Sequence, residues 1–303
     1  MAPHIHPYTT DDLESLHAIY HETVVGRVPH CWPVAVDNFA EVLAAPPGQV
    51  SYDATLSEQA VLVGQDTGEP RGFIHVGVQA PHKHEPQPLG VIRFLAYHRR
   101  ARKVGDALLT AAHQWLRERN IPRAIAFCDA WRYPFLGFAH GCLSDHLDHV
   151  QALLRVRRYQ KSGGEVFLDW PNMNPVAPPR PNIDFTLEWH EPTVPGCQPR
   201  LILNATDGSE ILGACELRSG SDFSDHPDAA AFTFCDELWV VDPLQGRGLG
   251  KFLLATALIE ARQRRHPHAS ISTAVDNHRA FQFYTHHGFH VADWTYEFAR
   301  DLT

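Results

Sequence analysis

The chain has 303 residues, 44% of them hydrophobic and 20% charged, with a formal net charge of −9. That length suits two ordinary domains, each able to bury a core, and the negative balance excludes binding of phosphate backbones as a main activity, so no nucleic-acid partner is expected. No run approaches the roughly 20 consecutive apolar residues needed to span a bilayer, and the opening MAPHIHPYTTDDLE lacks the basic flank and apolar stretch of a secretory leader. A cytoplasmic protein without membrane attachment is the expectation.

The amino-terminal part opens on a helix signal. Thr9 and Thr10 precede Asp-Asp-Leu-Glu, where Asp11 with Glu14 can form a capping box, and Leu13, Leu16, Ile19 and Tyr20 follow at helical spacing. Strands are predicted at Ala60 to Gly64, Gly72 to Val78 and Val91 to Tyr97. An amphipathic helix follows, with Val104, Ala107, Leu108, Ala111 and Trp115 on its apolar face, then strands at Ala124 to Cys128 and Glu165 to Trp170. From Trp170 to Asn182 there are five prolines in thirteen residues. Such a stretch continues neither a helix nor a central strand and reads as an extended linker. It divides the chain into 1–170, a linker at 171–182, and 183–303.

Beyond the linker, strands are predicted at Phe185 to Trp189, Arg200 to Asn204, Ile211 to Leu217 and Glu237 to Val241. A helix from Leu249 to Arg264, a strand from Ser270 to Val275, a helix from Asn277 to His286 and a strand from Val291 to Phe298 complete the order. Both halves run strand, turn, helix, strand, helix, strand, so the fold class is α+β and the chain reads as a divergent tandem repeat. The six cysteines are scattered without a Cys-x-x-Cys pair, which indicates neither a disulfide framework nor a zinc ribbon. His140, Cys142, His146 and His149 form the densest cluster in a chain of 21 histidines, but no zinc motif accompanies them and no metal is expected.

The segment Gln245-Gly-Arg-Gly-Leu-Gly-Lys251 joins a strand to a helix through glycines at alternating positions. Glycine permits positive φ and close approach, and amides gathered at a helix start make a nest for a pyrophosphate, with Arg247 and Lys251 adding charge. The spacing is neither that of a P-loop nor Gly-x-Gly-x-x-Gly. It resembles the Q/R-x-x-G-x-G/A motif of the GNAT superfamily of N-acetyltransferases, preceded as in that family by a strand ending in Val241 and Pro243. A second stretch, Asn277, Ala280, Tyr284, Gly288 and Phe289, is similar to the family signature N-x-x-A-x-x-x-Y-x-x-x-G-F.

This resemblance implies two GNAT-like domains in tandem, each a mixed, mostly antiparallel sheet flanked by helices. It implies acetyl-CoA as cosubstrate and a small-molecule or peptide amine as acceptor. Backbone groups of Trp239, Val240 and Val241 would pair with the pantetheine arm; Gln245, Gly246, Arg247, Gly248, Leu249, Gly250 and Lys251 would hold the pyrophosphate. Asn277 would fix the arm or the loop, Tyr284 would be general acid and Glu237 general base, for direct transfer in a ternary complex. In the first half, Arg102, Gly105 and Ala107 keep part of the motif, but Lys103 replaces the first glycine, Asp106 places an acid at the cradle, and Phe94 stands where Glu237 does. That copy is expected to be non-catalytic. Two other readings fit the layout: acetylation of a cysteinyl amine, as in mycothiol synthase, and a non-catalytic acyl-CoA-binding sensor.

Overall fold

The computed structural model describes residues 2–50, 54–81, 87–139, 141–194 and 197–302. The chain divides into two units, Met1–Glu165 with Asp293–Thr303, and Val166–Ala292. Both cuts fall inside strands, whereas the expected boundary in the proline-rich stretch lies within the second unit.

The first unit contains β1 (His4–Pro7), α1 (Leu13–Thr23), α2 (Val36–Ala44), β2 (Leu56–Asp66), β3 (Glu69–Gln79), β4 (Leu89–Tyr97), α3 (Arg102–Arg117), β5 (Arg123–Ala126), β6 (Leu143–Ser144) and α4 (Asp148–Val156). It shares β7 (Gln160–Trp170) and β13 (His290–Asp301) with the second. Its sheet runs β1-β2-β3-β4-β5-β13, antiparallel except for the parallel pair β4–β5. The last strand is the main departure from expectation: Phe298 to Asp301 pair with Ala126 to Arg123 of β5, so the chain's end completes the first sheet.

Local details also differ. The capping pair is Thr9 with Asp12, not Asp11 with Glu14: the Thr9 amide and hydroxyl each donate to Asp12 Oδ2 at 2.9 Å, and a 3-10 turn precedes α1. In α3 the buried face is Val104, Leu108, Leu109, Ala112 and Leu116. Ala107, Ala111 and Trp115 flank it half-buried, and the Arg119 guanidinium covers the Trp115 ring at 3.7 Å. An aromatic core of Tyr20, Phe39, Phe73, Phe94 and Tyr133 packs behind the sheet.

The second unit contains β8 (Thr186–His190), β9 (Leu201–Asp207), β10 (Glu210–Ser219), β11 (Phe232–Val240), α5 (Leu249–Gln263), β12 (His268–Ala274) and α6 (His278–His286). The sheet order is β7-β12-β11-β10-β9-β8, antiparallel from β11 to β8 and parallel between β11 and β12. Helix α5 buries Leu249, Leu253, Leu254, Ala257, Leu258 and Ala261, packing on β9, β10 and β11. The proline-rich stretch is extended, as its composition requires, yet it is anchored: Met173 is fully buried and its amide donates to the Pro267 carbonyl at 2.9 Å.

Two features recur in both units and carry the repeat. Each has a one-residue bulge in the strand leading to the turn, at Arg93 in β4 and at Asp236 in β11, so Phe94 and Glu237 occupy the same place. Each has a parallel pair that is short: β5 meets β4 only over Gly90 to Ile92, and β12 meets β11 only over Phe232 to Cys235. Beyond those residues the strands part, leaving an open edge on β4 and on β11. No helix among the described residues is long and apolar enough to cross a membrane.

Candidate active site

The open edge of β11 is the starting point. The Val241 amide donates to the Leu212 carbonyl at 2.9 Å, which turns its backbone groups toward the β10 side. In an antiparallel ladder consecutive residues alternate in direction, so Trp239 also faces β10, and Leu238 and Val240 present their amides and carbonyls to the open side. Of the three expected backbone partners only Val240 is free to pair there, and Leu238 joins it. The sequence marked the strand but not this phase, which the bulge at Asp236 sets.

The turn after β11 builds the cradle. Gly246 and Gly248 have φ of 77° and 91°, the left-handed region that other residues enter at a cost. Gly248 is the N-cap of α5, and no side chain caps the helix. The amides of Leu249, Gly250 and Lys251 therefore lack intrahelical acceptors, and the positive end of the helix dipole points the same way. Gly250 has helical backbone, and a Cβ placed on it would meet Val240 Cγ2 at an ordinary 3.6 Å. Nothing internal demands glycine at that position, so the bare backbone leaves space on the groove side.

Side chains fix this turn. Gln245 Nε2 donates to the Val240 carbonyl at 3.0 Å and to Asp242 Oδ1 at 2.8 Å, while its Oε1 accepts from Arg279 Nη1 at 2.8 Å. Arg247 points away and donates to the Asn182 carbonyl at 3.3 Å. Leu249 contributes a buried side chain to the core. Asn277 caps α6, its Oδ1 accepting from the Ala280 amide at 3.1 Å. Arg279 is a cation on the groove that the motif reading missed; its sole sequence cue is its place beside the Asn277 cap.

Together these elements enclose a groove of about 880 Å³, bounded by Leu238, Val240, the turn from Gln245 to Lys251, and the α6 face that carries Asn277, Arg279 and Tyr284. A second cavity of about 400 Å³ is lined by Asp236, Glu237, Trp239, Ser272 and Tyr284. Tyr284 thus stands at the partition between the two, 7% exposed. Its ring packs edge-on against Phe283 and Phe289, and its hydroxyl makes no hydrogen bond among the described residues. Burial is the main cause holding its phenol above the ordinary value near 10, with the Cys235 and Cys215 thiols adding to it. Asp236 is drawn toward Arg218 Nη1 at 3.5 Å, whereas Glu237 is exposed and has no ion-pair partner among the described residues. The Gly288-Phe289 pair of the second signature is structural: Gly288 has φ of 103°, and a Cβ there would lie 2.8 Å from the Trp170 indole.

The corresponding place in the first unit is closed. Helix α3 begins at Arg102, and the Val104 and Gly105 amides both bond to the Ala101 carbonyl, at 2.8 and 3.2 Å. The Tyr97 ring fills the cradle, so a Cβ on Gly105 would lie 2.6 Å from it. Asp106 pairs with Arg157 Nε at 2.7 Å. Between Phe94 and Phe127 the cavity amounts to about 20 Å³, against about 880 Å³ for the groove of the second unit. The histidine cluster also disperses: His146 lies 3.9 Å from Asp293, His149 Nε2 donates to the Tyr97 carbonyl at 3.2 Å, and His140 is outside the described residues. Among the described residues no group of three metal-ligating side chains converges.

Comparison with known proteins accords with this geometry. Residues 167–289 match the Acetyltransferase (GNAT) family. A tandem GNAT protein from the clavulanic acid biosynthesis pathway superposes with a TM-score of 0.66 at 15% identity, covering 99% of both chains. A GCN5-related glucosamine N-acetyltransferase region of a fungal multi-domain GH3 β-N-acetylglucosaminidase gives 0.68 at 15% identity, over 98% of this chain and 38% of that one. A GCN5-related N-acetyltransferase from Sphaerobacter thermophilus gives 0.60 at 13% identity, covering 99% and 96%. No curated protein matches the sequence. Residues 167–289 thus carry a match to the Acetyltransferase (GNAT) family, and the chain as a whole has the fold of a tandem GNAT protein.

Proposed function

We propose that the chain is an acetyl-CoA-dependent N-acetyltransferase with one catalytic site, in the second unit, acting on a primary amine. The observation that carries this reading is the position of Tyr284, a buried phenol with a free hydroxyl between a groove ending in an amide nest and a cavity bearing an unpaired carboxylate.

In this reading the amides of Gly248 to Lys251, with Lys251 and Arg279, hold the pyrophosphate of the cosubstrate. The open-edge groups of Leu238 and Val240 receive the pantetheine arm as an added strand, and Gln245 gives up its bond to the Val240 carbonyl when they do. Glu237 takes a proton from the acceptor ammonium, leaving a lone pair to attack the thioester carbonyl. The new C–N bond forms as the C–S bond breaks, Tyr284 donates its proton to the departing thiolate, and the acylated nitrogen releases its second proton to solvent. Because burial raises its pKa, Tyr284 stays protonated through the neutral range and then recovers its proton from solvent. The first unit, with its cradle filled by Tyr97, supplies no second site.

The test is a panel of amines, amino acids, aminoglycosides and peptides assayed for CoA release. An amine-dependent release that also yields the N-acetylated product supports the proposal. Binding of acetyl-CoA without transfer to any acceptor would favour a sensor instead.

A further inference from the structure

The bulge at Asp236 brings two acids to one side of β11. In a regular strand neighbouring side chains point to opposite faces, whereas a bulge re-aims the residue it inserts. Asp236 and Glu237 thus line the same cavity of about 400 Å³, together with Tyr284, which is buried and whose hydroxyl has no partner among the described residues. Directly across the ladder Glu237 faces Glu216 of β10, a pairing of like charges that is unfavourable unless something compensates it. Trp239 follows two residues on, on the same face as Glu237 and 40% exposed.

Two arginines answer these acids, and neither is left over. Arg200 Nη1 binds Glu216 Oε1 at 2.6 Å. Arg218 stands between two carboxylates, its Nη1 3.5 Å from Asp236 Oδ2 and its Nε 3.5 Å from Asp222 Oδ2, with its guanidinium over the Phe223 ring. The Asp222 side chain is only 1% exposed, so it draws on Arg218 from the interior. The carboxylates of Glu216, Asp222, Asp236 and Glu237 therefore meet two guanidiniums, and two formal negative charges stay uncompensated within this cluster. One is on Glu237, which has no ion-pair partner among the described residues. The other is shared by Asp222 and Asp236, of which Asp236 is the member exposed to the cavity.

We infer that the acceptor is a short diamine bound as a dication, with its reacting nitrogen at Glu237 and its second ammonium at Asp236. This rests on the assignment of the cavity to the acceptor amine. The cluster lacks two positive charges, and such a ligand brings both. Neighbouring Cα atoms are about 3.8 Å apart, so the two carboxylates suit nitrogens separated by about two to four methylenes, and the exposed Trp239 indole gives the carbon chain an apolar wall. Arg218 is a positioning residue: it holds the Asp236 carboxylate in place while Asp222 takes part of its charge. Transfer turns the nitrogen at Glu237 into a neutral amide, so the product keeps only the hold at Asp236 and leaves more readily than the substrate.

The experiment measures kcat/KM of the full chain at pH 7 for 1,3-diaminopropane, propylamine and 3-aminopropan-1-ol, which keeps a second donor without its charge. Wild type is expected to favour the diamine over both others by about tenfold or more, the scale of one charged hydrogen bond. In Asp236→Asn the ratio is expected to drop to the statistical factor of two equivalent nitrogens. Should that variant not fold, the wild-type ratio is still expected to shrink as salt is raised, because pairing at an exposed carboxylate is screened. The inference is overturned if wild type uses the three probes equally, if aminopropanol matches the diamine, or if the ratio is indifferent to salt or survives in a folded Asp236→Asn. Acetylation of other amines but not of the diamine also overturns it. If no amine of any kind gave CoA release, the acetyltransferase reading itself would fail, an outcome distinct from these.

Discussion

Tyr284 and Glu237 line one cavity but sit in opposite settings, and that contrast fixes what each can do. Burial penalises the phenolate, so the acid form of Tyr284 persists beyond the ordinary tyrosine value near 10. A general acid must be protonated to act, so no alkaline decline of kcat from this group is expected between pH 8 and about 10; a downturn at pH 8 to 9 in a kcat profile would point to another donor. Glu237 is exposed. In Glu237→Gln the kcat/KM at pH 7 should fall by roughly 10²-fold or more. The deficit should shrink as pH rises and the amine loses its proton unaided. A pH-independent deficit would assign Glu237 to binding rather than proton transfer. Of the two, only Tyr284 falls in a motif; Glu237 is singled out by its place on the strand before the glycine turn. No motif position marks Arg279, whose place on the groove is set by its bond to Gln245.

At the scale of elements, the strand–turn–helix unit separates two uses of glycine. Gly248 needs its residue type for backbone reasons, with φ of 91°. Gly248→Ala should therefore cost about 1–2 kcal/mol of stability as well as weaken acetyl-CoA binding. Gly250 sits in the first turn of α5 with room for a methyl group, so Gly250→Ala should leave the melting temperature unchanged or raise it, since alanine is the better helix former. The same variant should raise the KM for acetyl-CoA severalfold. Thermal melts and acetyl-CoA titrations on the pair check this, and equal effects in both would show that the turn is structural alone. The glycine pattern announced this turn; the phase of β11 did not show, because the bulge at Asp236 depends on pairing with Glu216 and Leu217 of β10. Helix α2 and strand β1 also escaped the sequence reading: β1 is four residues and α2 nine, and neither follows a motif that marks it.

For the molecule as a whole, the two units share one frame but differ in what fills it. Both have the bulge and the parting strands of that frame. The first unit has filled it: Tyr97 occupies the cradle, Asp106 is engaged by Arg157, and the space beside Phe94 is about 20 Å³. One acetyl-CoA per chain is the expected stoichiometry in calorimetry, and two equivalent sites would contradict this account. Sequence reading recovered the repeat, and its expectation of a non-catalytic first copy rests on Lys103, Asp106 and Phe94. It placed the domain boundary in the prolines because local composition marks a stretch that cannot continue regular structure. Only tertiary pairing reveals that Phe298 to Asp301 join β5 and that Met173 anchors the stretch to the second unit.

The central claim, that acyl transfer occurs at Tyr284 and nowhere else in the chain, is tested most directly by Tyr284→Phe at saturating acetyl-CoA with a productive amine. The account predicts a loss in kcat of about 10²-fold or more, with acetyl-CoA affinity close to wild type, since the ring and its packing remain. CoA release at the wild-type rate in that variant would contradict it.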